Sequence, residues 1–293
     1  MKNKLSLFAV PYVGWMSIFV VAPIIIMVVY AFSTAAGDFT LENFARMGTY
    51  TAVFTRSFKL AIIATLIALL IGYPVSYMIS KEGPQVQRIA MVLIMLPMWM
   101  NFLLRTYSWM SILENNGLLN QLFQQIGLID LYNQVAMHFA ADPAAYVPID
   151  HFQMIGTQGA VVLGMVYNYL PFMILPIYSV LVKLDHSLIE AARDLGASSV
   201  QVFRKVILPL SLPGVLSGIT MVFVPAVSTF AISRLLGGNN QTLLGNLIEQ
   251  QFLGGAYNPQ LGAAIALVMM AIVVVCMLVM NRFGDGEEQA VML

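Results

Sequence analysis

Six stretches of more than twenty mostly apolar residues dictate what this chain can fold into: Phe8–Phe32, Phe58–Ser80, Ile89–Met110, Gly159–Val182, Leu210–Ile232 and Leu261–Asn281. A helix needs about 20 apolar residues to cross the hydrocarbon of a bilayer. Inside it, each backbone amide must find its partner within the spanning structure. The expectation is an all-α integral membrane protein with six transmembrane helices, built as one domain over residues 1–293. Composition points the same way. Only 10% of the residues are charged, against about 25% in soluble domains, and the mean hydropathy is +0.82.

Fourteen basic and fourteen acidic residues cancel, which leaves no nucleic-acid footprint. One cysteine, Cys276, excludes an internal disulfide or a cysteine-based metal cluster. It reads as a small buried hydrophobe, and no metal site is expected. Lys2 and Lys4 ahead of the first stretch, with small residues from Ser33 to Ala36 behind it, resemble a cleaved leader. The apolar run exceeds the roughly 7–15 residues of a signal core, so it reads as a retained span that also directs insertion.

Loop cations set the orientation. With both termini on one side, that side holds nine: Lys2, Lys4, Lys81, Arg88, Lys183, Arg193, Arg204, Lys205 and Arg282. The other holds five: Arg46, Arg56, Lys59, Arg105 and Arg234. Residues 111–158 carry no Lys or Arg. Both termini and the loop 183–209 are therefore placed in the cytoplasm. Loop one, Ser33–Ser57, has a Gly37-Asp38 turn and an amphipathic stretch (Leu41, Phe44, Ala45, Gly48) that suits an interfacial helix. In the long outer loop, Leu118 to Leu131 reads as helix, and Ala141-Asp-Pro-Ala and Val147-Pro-Ile-Asp150 as turns.

The loop 183–209 is unlike a plain connector. Ser187 with Glu190 three residues on has the form of a capping box. Gly196 suits a helix C′ position with positive φ. Ser198 or Ser199 then caps a second helix carrying Val202, Phe203, Val206 and Ile207, with Pro209 ending it or starting the next span. The first helix puts Leu188, Ala191, Ala192 and Leu195 on one face. One reading is a folded connector covering the ends of two spans. The other is a handle for a soluble partner, favoured by more than twenty residues where a handful would serve.

The pattern Glu190-Ala-Ala-x3-Gly196-x9-Val206-x-Leu208-Pro209 resembles the EAA motif of membrane subunits in binding-protein-dependent ABC importers, with Val206 where the family has isoleucine. Ile71-Gly-Tyr-Pro74, Leu96-Pro-Met-Trp-Met-Asn101 through Arg105, and Leu236-Gly-Gly238 through Leu244-Gly-Asn246 extend the resemblance to B-type permease subunits of spermidine/putrescine importers (the PotB family). It covers nearly all the chain except roughly residues 135–156. It implies a type I importer (MetI-like) permease fold in a prokaryotic cell membrane, a sister permease subunit forming a heterodimer, two ATP-binding subunits and an extracytoplasmic substrate-binding protein. On that basis Glu190, Ala191, Ala192, Asp194, Gly196, Leu208 and Pro209 form the ATPase-coupling element. No glycine precedes a lysine anywhere in the sequence, so there is no phosphate-binding P-loop here. ATP and Mg are expected on the partner ATPase, and no catalytic residue or cofactor on this chain.

For the substrate path, Trp99, Asn101, Tyr167, Asn168, Ser228, Thr229 and Glu249 are the candidates, with Glu114 near an outer mouth. Aromatic faces attract organic cations, but Tyr107 and Trp109 fit an interfacial aromatic belt equally well. Asn168 has a helix-packing alternative. Arg105 is expected to snorkel into the outer interface, at about 1.5 Å of rise per residue beyond Ile89. Arg234 at the outer end of span five sits poorly with a cation path and would favour a neutral or anionic solute. No carboxylate lies inside any of the six stretches, which disfavours an ion-coupled secondary transporter.

Overall fold

The computed structural model describes residues 11–139, 146–255 and 257–291. The turn expected over 141–144 and the cations Lys2 and Lys4 lie outside them. The described regular structure is helical apart from one isolated bridge, Ser33 to Phe39. Thirteen helices follow in order: α1 (Pro11–Ala31), α2 (Glu42–Arg46), α3 (Thr51–Lys81), α4 (Pro84–Trp99), α5 (Phe102–Leu113), α6 (Leu118–Gln125), α7 (Leu128–Phe139), α8 (Gln158–Leu181), α9 (His186–Asp194), α10 (Ser199–Ser228), α11 (Ala231–Leu236), α12 (Leu244–Leu253) and α13 (Pro259–Val291). Among the described residues, five helices are long and apolar enough to cross a membrane, and up to six crossings result if the bent run of Pro84–Trp99 with Phe102–Gln125 counts as one.

That bend corrects the straight third span expected over Ile89–Met110. The chain turns by 89° after Trp99. Met100 is extended at ψ 149°, and the Asn101 side chain accepts from the N–H groups of Leu103 (2.8 Å) and Leu104 (3.3 Å). An N-cap this well satisfied starts a new helix, and hydropathy averaged over the window is blind to it. Span five also ends early, at Ser228, because Thr229 is extended. Residues 231–236 form a separate short helix.

Other bounds shift for local reasons. The second span begins at Thr51 rather than Phe58, because Thr51, Thr55, Arg56 and Ser57 extend the helix past the apolar run. Loop one is correspondingly shorter, with a helix over Glu42–Arg46 and a 3-10 turn over Met47–Tyr50. Gly37 has φ +94° at the expected turn. Gly127, at φ +73°, splits the helix expected over Leu118–Leu131 into α6 and α7. The fourth span is within a residue of expectation, and the sixth continues to Val291.

Helix α8 is the centre of the bundle, lying against α3 and α10. Two-thirds of its apolar window (67%) is buried, against 0% for α1, which rests on α13. Small residues let the central helices touch, as membrane helices require. Met173 of α8 is gripped between Gly72 and Gly218; an added Cβ would stand 2.9 Å from its Cγ and 2.8 Å from its Sδ, respectively. Ser76 Oγ donates to Ile174 O (3.1 Å), and Tyr73 Oη is 2.8 Å from Ser211 Oγ. In the long loop, Asn120 and Asn133 clamp the returning backbone. Asn120 accepts from Phe152 N and donates to Phe152 O, while Asn133 accepts from Ile149 N and donates to Ile149 O.

Candidate functional site

The segment 183–209 folds into a closed hairpin. Its first helix begins at His186, and Asp185 takes the cap by accepting from Ser187 N at 2.9 Å. The capping box expected on Ser187 and Glu190 is thereby displaced: an aspartate two residues earlier is an equally good cap, and both residues fall inside the helix. At the other end Gly196 has φ +83°. Gly196 N–H donates to Arg193 O (2.8 Å) and Ala197 N–H to Ala192 O (3.0 Å), the paired bonds of a Schellman motif.

Ser198 and Gln201 form the capping box of the next helix. That helix does not stop at Pro209. It widens to a π turn over Phe203–Ile207, where the Leu208 N–H reaches Phe203 O, and runs on through Leu208 and Pro209 to Ser228. The hairpin's second arm and span five are one continuous helix.

Aromatic contacts seat the hairpin on the bundle. The Phe203 ring meets Tyr73 and Tyr77 edge-on, at 5.9 and 5.4 Å between centroids. Lys81 Nζ lies 4.0 Å from the Tyr77 centroid. Val202 and Ile207 are buried, and Ile189, Ala192 and Ala197 pack partly against the same core. Leu188, Glu190, Ala191, Asp194 and Val200 stay exposed, as does Leu195 at 89%. The face expected to hold Leu188, Ala191, Ala192 and Leu195 together is thus divided: Ala192 turns partly to the bundle and the other three face outward. A cavity of about 200 Å³ remains between hairpin and bundle, lined by Tyr77, Lys81, Arg193 and Ser199 among others.

At the opposite end of α10 the chain breaks at Thr229 and turns through α11 and α12. Asn246 holds this turn. Its Nδ2 donates to Phe230 O (2.8 Å), and its Oδ1 accepts from Ser233 Oγ and Leu243 N–H. Gly245 is pressed on the break, since an added Cβ would lie 2.5 Å from Ser228 O. Ser57 Oγ accepts from Leu244 N–H at 2.8 Å, tying α12 to α3. Arg234 Nη1 donates to Glu249 Oε1 at 2.8 Å. A cavity of about 380 Å³ opens beside this pair, lined also by Thr242, Asn246 and Gln250.

The path candidates are scattered around this frame. Tyr167 meets Trp109 edge-on at 5.3 Å. Asn168 is buried, with Nδ2 donating to Gly164 O (2.8 Å) and Oδ1 without a partner. Thr229 is buried in the break, while Ser228 is exposed and donates to Val224 O. Trp99 is exposed, and Asn101 spends its side-chain oxygen on the cap. Glu114 follows the end of α5 and is exposed.

Arg105 corrects its expectation. It does not snorkel outward but is buried at 8% exposure, with Nε and Nη1 lacking partners. The turn at Met100–Asn101 redirects α5 against α8 and α11 instead of carrying it onward along α4. Arg234 stands just past the end of span five, with its charge paired to Glu249. Sequence reasoning missed the Asn246 knot and the seating of Phe203 on Tyr73 and Tyr77. These join residues on separate elements, which no local periodicity marks.

The profile of the family described as binding-protein-dependent transport system inner membrane component matches residues 68–286. The chain is 36% identical over 285 residues to the spermidine/putrescine transport system permease protein PotB of Haemophilus influenzae, covering 93% of each. It is 36% identical over 281 residues to PotB of Escherichia coli, covering 93% of this chain and 95% of that one. Among solved structures it is similar to a bacterial ABC transporter involved in import of the acidic polysaccharide alginate, with a TM-score of 0.76 at 16% identity over 97% of this chain and 96% of that one. A chain of the MetNI methionine ABC transporter follows at 0.54 and 19% identity, covering 84% and 98%.

Proposed function

This chain belongs to the inner membrane components of binding-protein-dependent transport systems, and from that premise we propose that it forms half of an ATP-driven import path for polyamines. It is a multi-pass permease subunit of the PotB type. A sister permease completes the path, two ATP-binding subunits dock on the hairpins, and a substrate-binding protein delivers the solute outside. ATP and Mg sit on those partners. Both termini and the hairpin face the cytoplasm.

The hairpin carries this reading. It is capped at both ends of its own fold, fixed to the bundle through Phe203, and leaves Leu188, Ala191, Leu195 and Val200 facing outward. A soluble ATPase that covers those side chains and moves would drag α10 with it, because no break separates hairpin from span. In this reading Glu190, Asp194 and Gly196 shape the handle, Ala191 meets the ATPase groove and Ala192 braces the handle on the bundle. Leu208 and Pro209 join it to the span.

Polyamines are supported by the PotB relatives. Arg234, taken alone, favoured a neutral or anionic solute; Glu249 beside it offsets that charge. The test is uptake of labelled spermidine by cells expressing the chain with its companion subunits, with unlabelled putrescine, amino acids and oligosaccharides as competitors. Polyamines alone should compete, and their failure to do so overturns the substrate assignment. Labelling of Ser198→Cys in a Cys276→Ser background from the cytoplasmic side only is expected, and labelling from outside overturns the orientation.

A further inference from the structure

The cavity beside Arg234 and Glu249 lies at the far end of α10 from the hairpin, at the break after Ser228. Its two charged residues differ in freedom. The Glu249 side chain is only 23% exposed and sits on α12, whose first turn is knotted by Asn246 to Phe230 and Ser233. The Arg234 side chain is 67% exposed, on a helix of six residues. Glu249 is therefore fixed, whereas its guanidinium partner can swing into water with little loss of solvation. An ion pair with one arm this exposed is weak, and a second cation can replace it.

We infer that Glu249 is the carboxylate that receives an ammonium group of the solute, and that Arg234 is its resident counter-ion, displaced when a cation enters. This inference rests on the polyamine reading above. The cavity, about 380 Å³, falls within the usual 300–1,000 Å³ of small-molecule sites. Besides the carboxylate, Gln250 and Thr242 line its wall, residue types whose side-chain oxygens are able to accept from an ammonium. Arg234 then sets specificity. A neutral solute gains nothing at an occupied carboxylate, and an anion meets Glu249 when it approaches the guanidinium. Only a cation gains a partner while releasing another to water.

Self-competition of this kind lowers apparent affinity by the fraction of time the site is closed. For an exposed pair the factor is about two- to sixfold. The test has two arms. Uptake of labelled spermidine by the wild-type complex checks the polyamine reading. Equilibrium binding of labelled spermidine to the purified membrane complex, without its binding protein, then compares four variants. Arg234→Gln should bind about two- to sixfold more tightly, Glu249→Gln more weakly, and the double variant like Glu249→Gln. Arg234→Lys, which keeps a cation, should shift less than Arg234→Gln.

Opposite signs in the two single variants are the signature. Weakening in both, with recovery in the double variant, would make the pair a structural strut and overturn the inference. Unchanged binding in both single variants, or no binding to any form, overturns it while leaving polyamine uptake standing. A wild-type complex that takes up no polyamine overturns both.

Discussion

Gly196 is the position at which the coupling account is most directly tested. Its φ of +83° is one that side-chain-bearing residues rarely adopt, yet an added Cβ would find nothing within 4 Å. A substitution therefore acts through backbone preference alone and not through a clash. The left-handed conformation costs an ordinary L-residue about 1–2 kcal/mol, with alanine near the lower figure and β-branched valine near the upper. Relaxing it breaks the bonds from Gly196 to Arg193 and from Ala197 to Ala192 and re-aims the two hairpin helices. One to two kilocalories shift a local equilibrium by about 5–30-fold. The assay is ATP hydrolysis by the purified complex, stimulated by substrate-loaded binding protein. Stimulation should fall in the order Gly, Asn, Ala, Val, because asparagine tolerates positive φ. Membrane insertion should be normal throughout. Full stimulation in Gly196→Val would refute the coupling role, and an asparagine variant as defective as valine would refute the backbone account.

Exposed Ala191 and half-buried Ala192 should part company: Ala191→Leu should weaken co-purification of the ATPase with no loss of thermal stability. Ala192→Leu should instead cost about 1–3 kcal/mol by overpacking the hairpin seat, read as a lowered Tm of the complex. Phe203→Ala removes both ring contacts and should cost about 2–4 kcal/mol, uncoupling ATP hydrolysis from uptake while transport proteins still assemble. Asn246→Leu strands the buried Leu243 N–H, for about 1–3 kcal/mol, while Phe230 O keeps its bonds from Arg234 N–H and Ser233 Oγ; differential scanning should show the loss as a lower Tm.

What the sequence made legible follows from how locally each feature is encoded. The fourth span lies in a long run free of charged residues with Thr157 at its cap, and its ends were readable to a residue. Gly196 was readable because a positive φ needs a glycine at one place in a local motif. The bend at Asn101 was not, since Met100 and the residues after it are as apolar as a helix and only the cap betrays the turn. Asp185 displaced Ser187 because two good caps stood two residues apart and the sequence does not rank them. The pairing of Arg234 with Glu249 was not legible because Glu249 lies fifteen residues on, across a turn whose course depends on Asn246. In the same way, Phe203 read as one apolar residue among several until α3 supplied Tyr73 and Tyr77.

The unbroken run from Ser199 to Ser228 makes a stiff beam about 45 Å long at 1.5 Å per residue. Its tightest fit is at Gly214 and Gly218, where Pro176 and Met173 press on the backbone. A beam that rocks about that fulcrum moves its two tips in opposite senses, with arms of roughly 26 and 18 Å. A sideways push on the Ser198 tip thus arrives at Thr229 as an opposite shift about two-thirds as large, at the joint where the Asn246 knot and the Arg234–Glu249 gap meet.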